Sequence, residues 1–267
     1  MQISLSNHGF LAPEIAGVVQ HVRAAHSELF AFCERLNELA HSSLFSSKVN
    51  RDDLRELVLS TLILKAMTAF QGVIIVAERG MPSETRILLR TLLEVMFRAI
   101  AIAKNPDATR VYVGEDVIRR KKLIRKFRRL SSHLQVSADP AELDRVEEIL
   151  TARVTVEGIV ERTTLWYAEQ AGMEDFYHSA YSLLSEAVHV SVGQLESALN
   201  LDDNGALVGL SYAPSDAEIE HHLLASAEAL IFALRATYSV VDVQTSEEIH
   251  AIHDEFNELH GRHSGAT

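Results

Sequence analysis

The chain has 267 residues, 47% of them hydrophobic and 23% charged, with a formal net charge of −12. A chain this long and this balanced buries a sizeable core without staples, and its acidity excludes a generally basic, nucleic-acid-coating protein. Its single cysteine, Cys33, rules out an internal disulfide and fits a reducing cytosol.

The N-terminal stretch "MQISLSNHGF" has neither a basic n-region nor an apolar h-region, so no signal peptide is expected. Apolar residues then recur at spacings of three and four almost throughout, and strict alternation is rare, which predicts an all-α protein. The first helix is expected over residues 13–40, with Val18, Val22, Leu29, Phe32 and Leu36 on one side. After a polar break comes a helix over 52–79, with Asn50 or Asp52 available as its cap and Gly80 beyond its end. Its core, "LVLSTLILKAMTAFQGVIIVA", has the length of a membrane span. Lys65 at its midpoint would be costly in lipid, so a buried core helix is expected and no membrane contact. "RGMPSE" is a tight turn, and Pro82 opens the next helix, running to about Ala103 as an antiparallel neighbour.

"SETRILLRTLLEVMFRAIAIA" places Arg86, Arg90, Glu94 and Arg98 at successive fourth positions. Each step of four turns about 40° around the axis, so the charges form one stripe. The rest of the helix is so apolar that Arg90 and Glu94 are expected to be at least partly buried. Charges in such a place need partners, because stripping one from a buried pair costs on the order of 3–5 kcal/mol. Two readings are open: an ion pair stitching helices together, or a functional cluster lining a pocket.

A basic helix comes after "NPDATR". Eight of the eleven residues from Arg119 to Arg129 are Lys or Arg, with Leu123, Ile124, Phe127 and Leu130 as an apolar seam. Arg120, Lys121 and Arg125 are candidate phosphate contacts. The next helix, expected over about 140–171 and loosened near Gly158, carries Asp139, Glu142, Asp144, Glu147, Glu148, Glu157 and Glu161. An antiparallel hairpin over about 106–171 would lay these acids beside the bases and neutralise much of the patch.

"FYHSAYSLLSEAVHVSVGQL" belongs to a helix expected over about 174–199, on which His178, Tyr181, Ser182, Ser185 and His189 fall near one face. A histidine near neutral pH can give or take a proton, and a serine one turn away can fix its tautomer. A Ser–His–acid triad with Glu94 lacks an elbow motif and an oxyanion hole. "LDDNGALVGLSYAPS" could hold a short strand pair around an Asn204-Gly205 turn. Helix returns over about 216–241, and an amphipathic segment closes the chain. His250 and His253 there are spaced to bind zinc, but no matching pair accompanies them, so a surface helix is expected, with no metal and no cofactor.

The combination of "AFQGVIIVAERGM", Arg90 and Glu94 as R-x-x-x-E, and Tyr177, Tyr181, Ser185 and His189 as Y-x-x-x-Y-x-x-x-S-x-x-x-H resembles an uncharacterised bacterial domain family over roughly residues 55–200. More loosely, it is similar to HEPN proteins, all-α bundles common in toxin–antitoxin and phage-defence systems, many of them metal-independent ribonucleases. The resemblance implies a bundle of about seven to eight helices with a HEPN-like core, about 52–103 and 174–241, in a single domain spanning residues 1–267. It implies a cytoplasmic homodimer that acts on or senses RNA or nucleotides, with His189, Arg90, Glu94 and Ser185 as catalytic candidates. Arg86, Tyr181, Arg120, Lys121 and Arg125 are then candidate substrate contacts. The HEPN hallmark also includes an arginine a few residues before the histidine, and no arginine lies between Phe176 and Gln194. Either Arg90 substitutes for it, or the chemistry is absent and the protein is a non-catalytic interaction scaffold with a structural polar network.

Overall fold

A computed structural model describes residues 8–134, 139–186, 199–210 and 212–264. The fold is all-α, with one two-stranded hairpin among the described residues. In chain order the helices are α1 (Ile15–Ala25), α2 (Ser27–Ser46), α3 (Leu54–Ala77), α4 (Pro82–Lys104), α5 (Asp107–Leu134), α6 (Pro140–Val156) and α7 (Thr164–Ala171). Then come α8 (Glu174–Phe176), a π-helical turn (Tyr177–Tyr181) and α9 (Ser182–Glu186). Strands β1 (Leu199–Leu201) and β2 (Leu207–Leu210) precede α10 (Ile219–Tyr238) and α11 (Ser246–Ser264).

The centre of the molecule is α3, α4 and α10 packed on one another, with α2 and α11 outside α10 and α7 against α4. The side chains that fill it include Leu59, Ile63, Phe70, Leu92, Met96, Phe97, Leu230 and Leu234, all at or near zero exposure. Each such side chain contributes roughly 1.5–3 kcal/mol of burial free energy, which is why propensity matters little here. Among the described residues, α3 is the helix long and apolar enough to cross a membrane, and half of its most apolar window is buried inside the protein. Lys65 sits on its exposed side, and Gln71 bonds Asn37 and His41 of α2.

Several boundaries depart from the sequence reading. The helix expected over 13–40 is two, bent at His26, whose backbone (φ −118°, ψ 35°) leaves the helical region. The bend lets Val18 and Val22 on one side of it, and Leu29, Phe30 and Phe32 on the other, all reach the core. The cap of α3 is Asp53, which accepts the Arg55 and Glu56 amides, while Asn50 holds the Asp52 amide in the preceding turn. The helix expected over 140–171 stops at Val156; Gly158 adopts φ +63°, and Thr163 caps a fresh helix by accepting the Trp166 amide.

Two turns needed glycine. Gly80 has φ +71°, and a Cβ there would stand 2.8 Å from Pro214 Cβ and 2.9 Å from the Ser215 amide nitrogen. That close approach lets the Ser215 amide donate to the Gly80 carbonyl at 2.9 Å, fastening the α3–α4 turn to the segment before α10. Gly205, at φ +78°, turns β1 into β2 at the expected Asn-Gly pair.

Candidate functional site at the joint of two helices

Helix α4 and the segment from α8 to α9 meet over Phe97. Its buried ring lies edge-on to Phe176 and Tyr181, with centroids at 6.4 and 5.9 Å, and tilted against Tyr177 at 6.3 Å. The π-helical turn sets the phase of this contact. The Ser182 amide reaches back to the Tyr177 carbonyl, and the Ser182 hydroxyl donates to the same carbonyl at 2.9 Å. One extra residue in a turn rotates every later side chain of the helix, and such turns recur at functional sites. Here Tyr177 and Tyr181 stack at 4.9 Å, and Tyr181 is aimed at the charged stripe of α4.

The Arg90 guanidinium donates to the Tyr181 hydroxyl at 2.9 Å and, through Nε, to Ser185 Oγ at 3.3 Å. The Tyr181 hydroxyl in turn donates to Glu94 Oε1 at 2.8 Å. Glu94 Oε1 also lies 3.3 Å from the Arg90 guanidinium, so Arg90, Tyr181 and Glu94 form a closed ring. Ser185 is anchored by its own bond to the Tyr181 carbonyl. Burial, and then the bond to Glu94, push the Tyr181 phenol above its ordinary range, so it stays a protonated donor at neutral pH.

A second layer holds Glu94 from below. Arg98 donates to the Glu94 carbonyl at 3.0 Å and approaches its carboxylate at 3.5 Å. Its guanidinium lies 5.2 Å from the Tyr167 ring centroid. Tyr167, fully buried, donates to Glu115 Oε1 at 2.8 Å, and the Arg162 amide donates to the same oxygen. Glu115 is itself 6% exposed. The sequence reading had Arg98 in its stripe but missed Tyr167 and Glu115; the one signal for them was an acid, Glu115, set among apolar residues early in a basic helix.

The structure therefore brings together Arg90, Glu94, Tyr181 and Ser185. The side chains of Arg90 and Glu94 keep 25% and 27% of their exposure, so the charged pair is half-buried, at the rim of the packed interior. Tyr181, expected to touch substrate, is 4% exposed, with its hydroxyl bonded to Arg90 and Glu94. His189 lies outside the described residues. Arg86 points to a different partner, forming an ion pair with Glu218 of the turn before α10. Glu218 sits at φ +63°, unusual for a residue with a Cβ.

The basic helix is the outer part of α5, and α6 packs along it. Arg120 pairs with Asp116, Lys122 with Glu161, Arg125 with Glu147 at 2.7 Å, and Arg128 with Glu147 and Asp144. Lys121 adds to the field that holds the Glu147 carboxyl below its usual range, after the direct bond from Arg125. Asp144 and Glu147 of α6 thus face Arg125 and Arg128 of α5, as the antiparallel arrangement predicts, while Arg120 is paired within α5 and Lys122 beyond the end of α6. The four partnered bases share their charge with this chain's own carboxylates, so the hairpin offers a phosphate backbone less than its sequence suggests.

His250 and His253 both lie on α11. His253 Nδ1 accepts from the Arg235 guanidinium at 2.8 Å, which commits that nitrogen. Among the described residues no group of His, Cys, Asp or Glu is placed to hold a metal ion.

Residues 56–206, more than half of the chain, match the model of a family of unknown function, DUF5677, and the chain belongs to that family. No curated protein and no solved structure matches it.

Proposed function

We propose that this DUF5677 protein acts on or senses RNA or a nucleotide through the centre built by Arg90, Glu94, Tyr181 and Ser185, with His189 as its proton-transfer residue. The observation that carries the reading is the state of Arg90. Its guanidinium is oriented by three side chains, and the Arg90 side chain as a whole keeps a quarter of its exposure. A fixed, partly desolvated cation of this kind recognises a phosphate and neutralises charge growing on it. In the catalytic form of the reading, which needs no metal, His189 takes the 2′-hydroxyl proton as that oxygen bonds the phosphorus, Arg90 stabilises the phosphorane, and the P–O5′ bond then breaks to leave a 2′,3′-cyclic phosphate and a 5′-oxygen that takes its proton from the imidazolium or water. Glu94 and Tyr181 are positioning residues in this scheme.

The likeness to HEPN proteins belongs to the same reading and supports a cytoplasmic homodimer. Leu57, Leu64 and Ile75 are 38%, 48% and 51% exposed along one side of α3, an apolar stripe of the kind a second copy covers.

A second reading has its own observation. Arg90, Tyr181 and Glu94 satisfy one another in a closed ring, which is what a purely structural pin between α4 and the π-helical turn requires. Incubating mixed-sequence RNA with the protein in excess chelator separates the two. The nucleolytic reading predicts cleavage that His189→Ala and Arg90→Gln abolish while both variants stay folded. Intact RNA with the wild-type protein, together with no binding of RNA or of 5′-AMP, leaves the structural pin.

A further inference from the structure

At the far end of α4 from Arg90, a cavity of about 630 Å³ opens between the ends of α4, α7 and α10 and the start of α11. Its size falls in the range of roughly 300–1,000 Å³ usual for small-molecule sites. Ile100, Met173, Phe232 and Ile249 give it apolar walls, and Lys104 and Arg235 are its charged residues. Among the described residues no Asp or Glu lines it, in a chain whose net charge is −12.

Both cations are held at the cavity with donors to spare. Lys104 Nζ bonds the Ala171 carbonyl at the end of α7, which uses one of its three N–H groups. Arg235 gives one N–H to His253 Nδ1. Tyr238, also in the lining, has a buried hydroxyl with no partner among the described residues.

The helix ends fix the charge the site would accept. Three C-termini, those of α4, α7 and α10, each bring about half a negative charge, and the N-terminus of α11 about half a positive one. Set against Lys104 and Arg235, and with Glu247 and Glu248 in the first turn of α11 offsetting its positive end, these leave an excess of at most roughly one positive charge. That suits a singly charged head better than a doubly charged phosphate.

We propose that this cavity binds an amphipathic monocarboxylate, its head between Lys104 and Arg235 and its apolar body along Ile100, Phe232 and Ile249. The site shares no residue with the Arg90 centre and does not depend on the function proposed for it. Calorimetric titration with decanoate below its micellar range tests the proposal on the full-length protein, with decanol and decyltrimethylammonium as matched probes. We expect decanoate to bind at one site per chain, about tenfold or more tighter than decanol, and the ammonium probe to give no saturable binding. Arg235→Met and Lys104→Met should each weaken decanoate about tenfold and leave decanol unchanged. Ala236→Trp, which keeps both cations and fills the cavity, should abolish binding of both. Lys104→Met removes a bond to the end of α7; if it fails to fold, Arg235→Met and Ala236→Trp decide the matter. Decanoate binding that is absent, no tighter than decanol, or indifferent to Arg235→Met and Ala236→Trp would overturn the proposal.

Discussion

Tyr181 shows how much one hydroxyl can organise. It accepts from Arg90 and donates to Glu94 while its ring packs on Phe97 and Tyr177. Tyr181→Phe keeps the packing and deletes both bonds. We predict a loss of about 1–3 kcal/mol in urea unfolding, and the same substitution in an Arg90→Met background should cost clearly less, because the partner is already gone. His222 offers a pH test at the same scale. It is 5% exposed, and burial pushes its imidazole down to about 4, with the Glu218 charge pulling the other way and Arg86 and His221 adding to the depression. The unfolded chain therefore takes up the proton first as pH falls. Stability is complete above about pH 6.5 and drains away between there and about pH 4, by about 3 kcal/mol if the shift is fully expressed. His222→Leu should flatten that part of the profile relative to wild type, measured as the urea midpoint against pH. Parallel profiles for the two proteins would contradict it.

At the scale of the element, the legible and the illegible have different physical sources. The α3–α4 turn was readable because Gly80 and Pro82 are local chemistry: one supplies a positive φ, the other a first-turn proline. The β1–β2 hairpin was readable from Asn204-Gly205 for the same reason. The break at His26 was not, since it carries no proline or glycine and answers to distant packing, and at Gly158 the glycine signalled a loosening but not the full stop and the fresh start capped by Thr163. The π-helical turn is the sharpest case. Period-3.6 reasoning put His178, Tyr181, Ser182, Ser185 and His189 near one face, and the family resemblance set Arg90 beside Ser185 and His189; the structure brings Tyr181 and Ser185 to Arg90, but nothing in "YHSAY" announces the extra residue that aims Tyr181. Deleting Ala180 would let this segment close as ordinary α-helix and swing Tyr181 by about 100°. We expect a lower urea midpoint and loss of the Tyr181–Arg90 coupling, whereas Ala180→Ser, which keeps the register, should leave both intact. Unchanged coupling in the deletion would show that the turn does not set the aim.

Across the whole molecule, charge is sorted rather than spread. The bases of α5 are matched by acids of α5, α6 and the segment after α6, and the exposed pairs, such as Lys122 with Glu161, are each worth under about 1 kcal/mol. The partly desolvated cation at the joint of α4 and α9 is a different matter, because it is fixed by the buried Tyr181 and the partly buried Glu94 and Ser185 while its side chain keeps a quarter of its exposure. The stripe from Arg86 to Arg98 was plain in the sequence, and so was the need for a partner from another helix. Which of its arginines would find that partner was a tertiary question: Arg86 went to Glu218, Arg90 to Tyr181 and Ser185, and Arg98 to the Glu94 side and Tyr167. The account turns on Arg90 serving a ligand and not the fold alone. Its most direct test is to titrate a short single-stranded RNA into wild type and Arg90→Gln, and to measure urea stability on the same two samples. The account predicts that binding falls at least about tenfold, the weight of a charge-assisted contact, while stability drops by no more than about 1–3 kcal/mol. Equal RNA binding by the two proteins, with stability alone reduced, would contradict it.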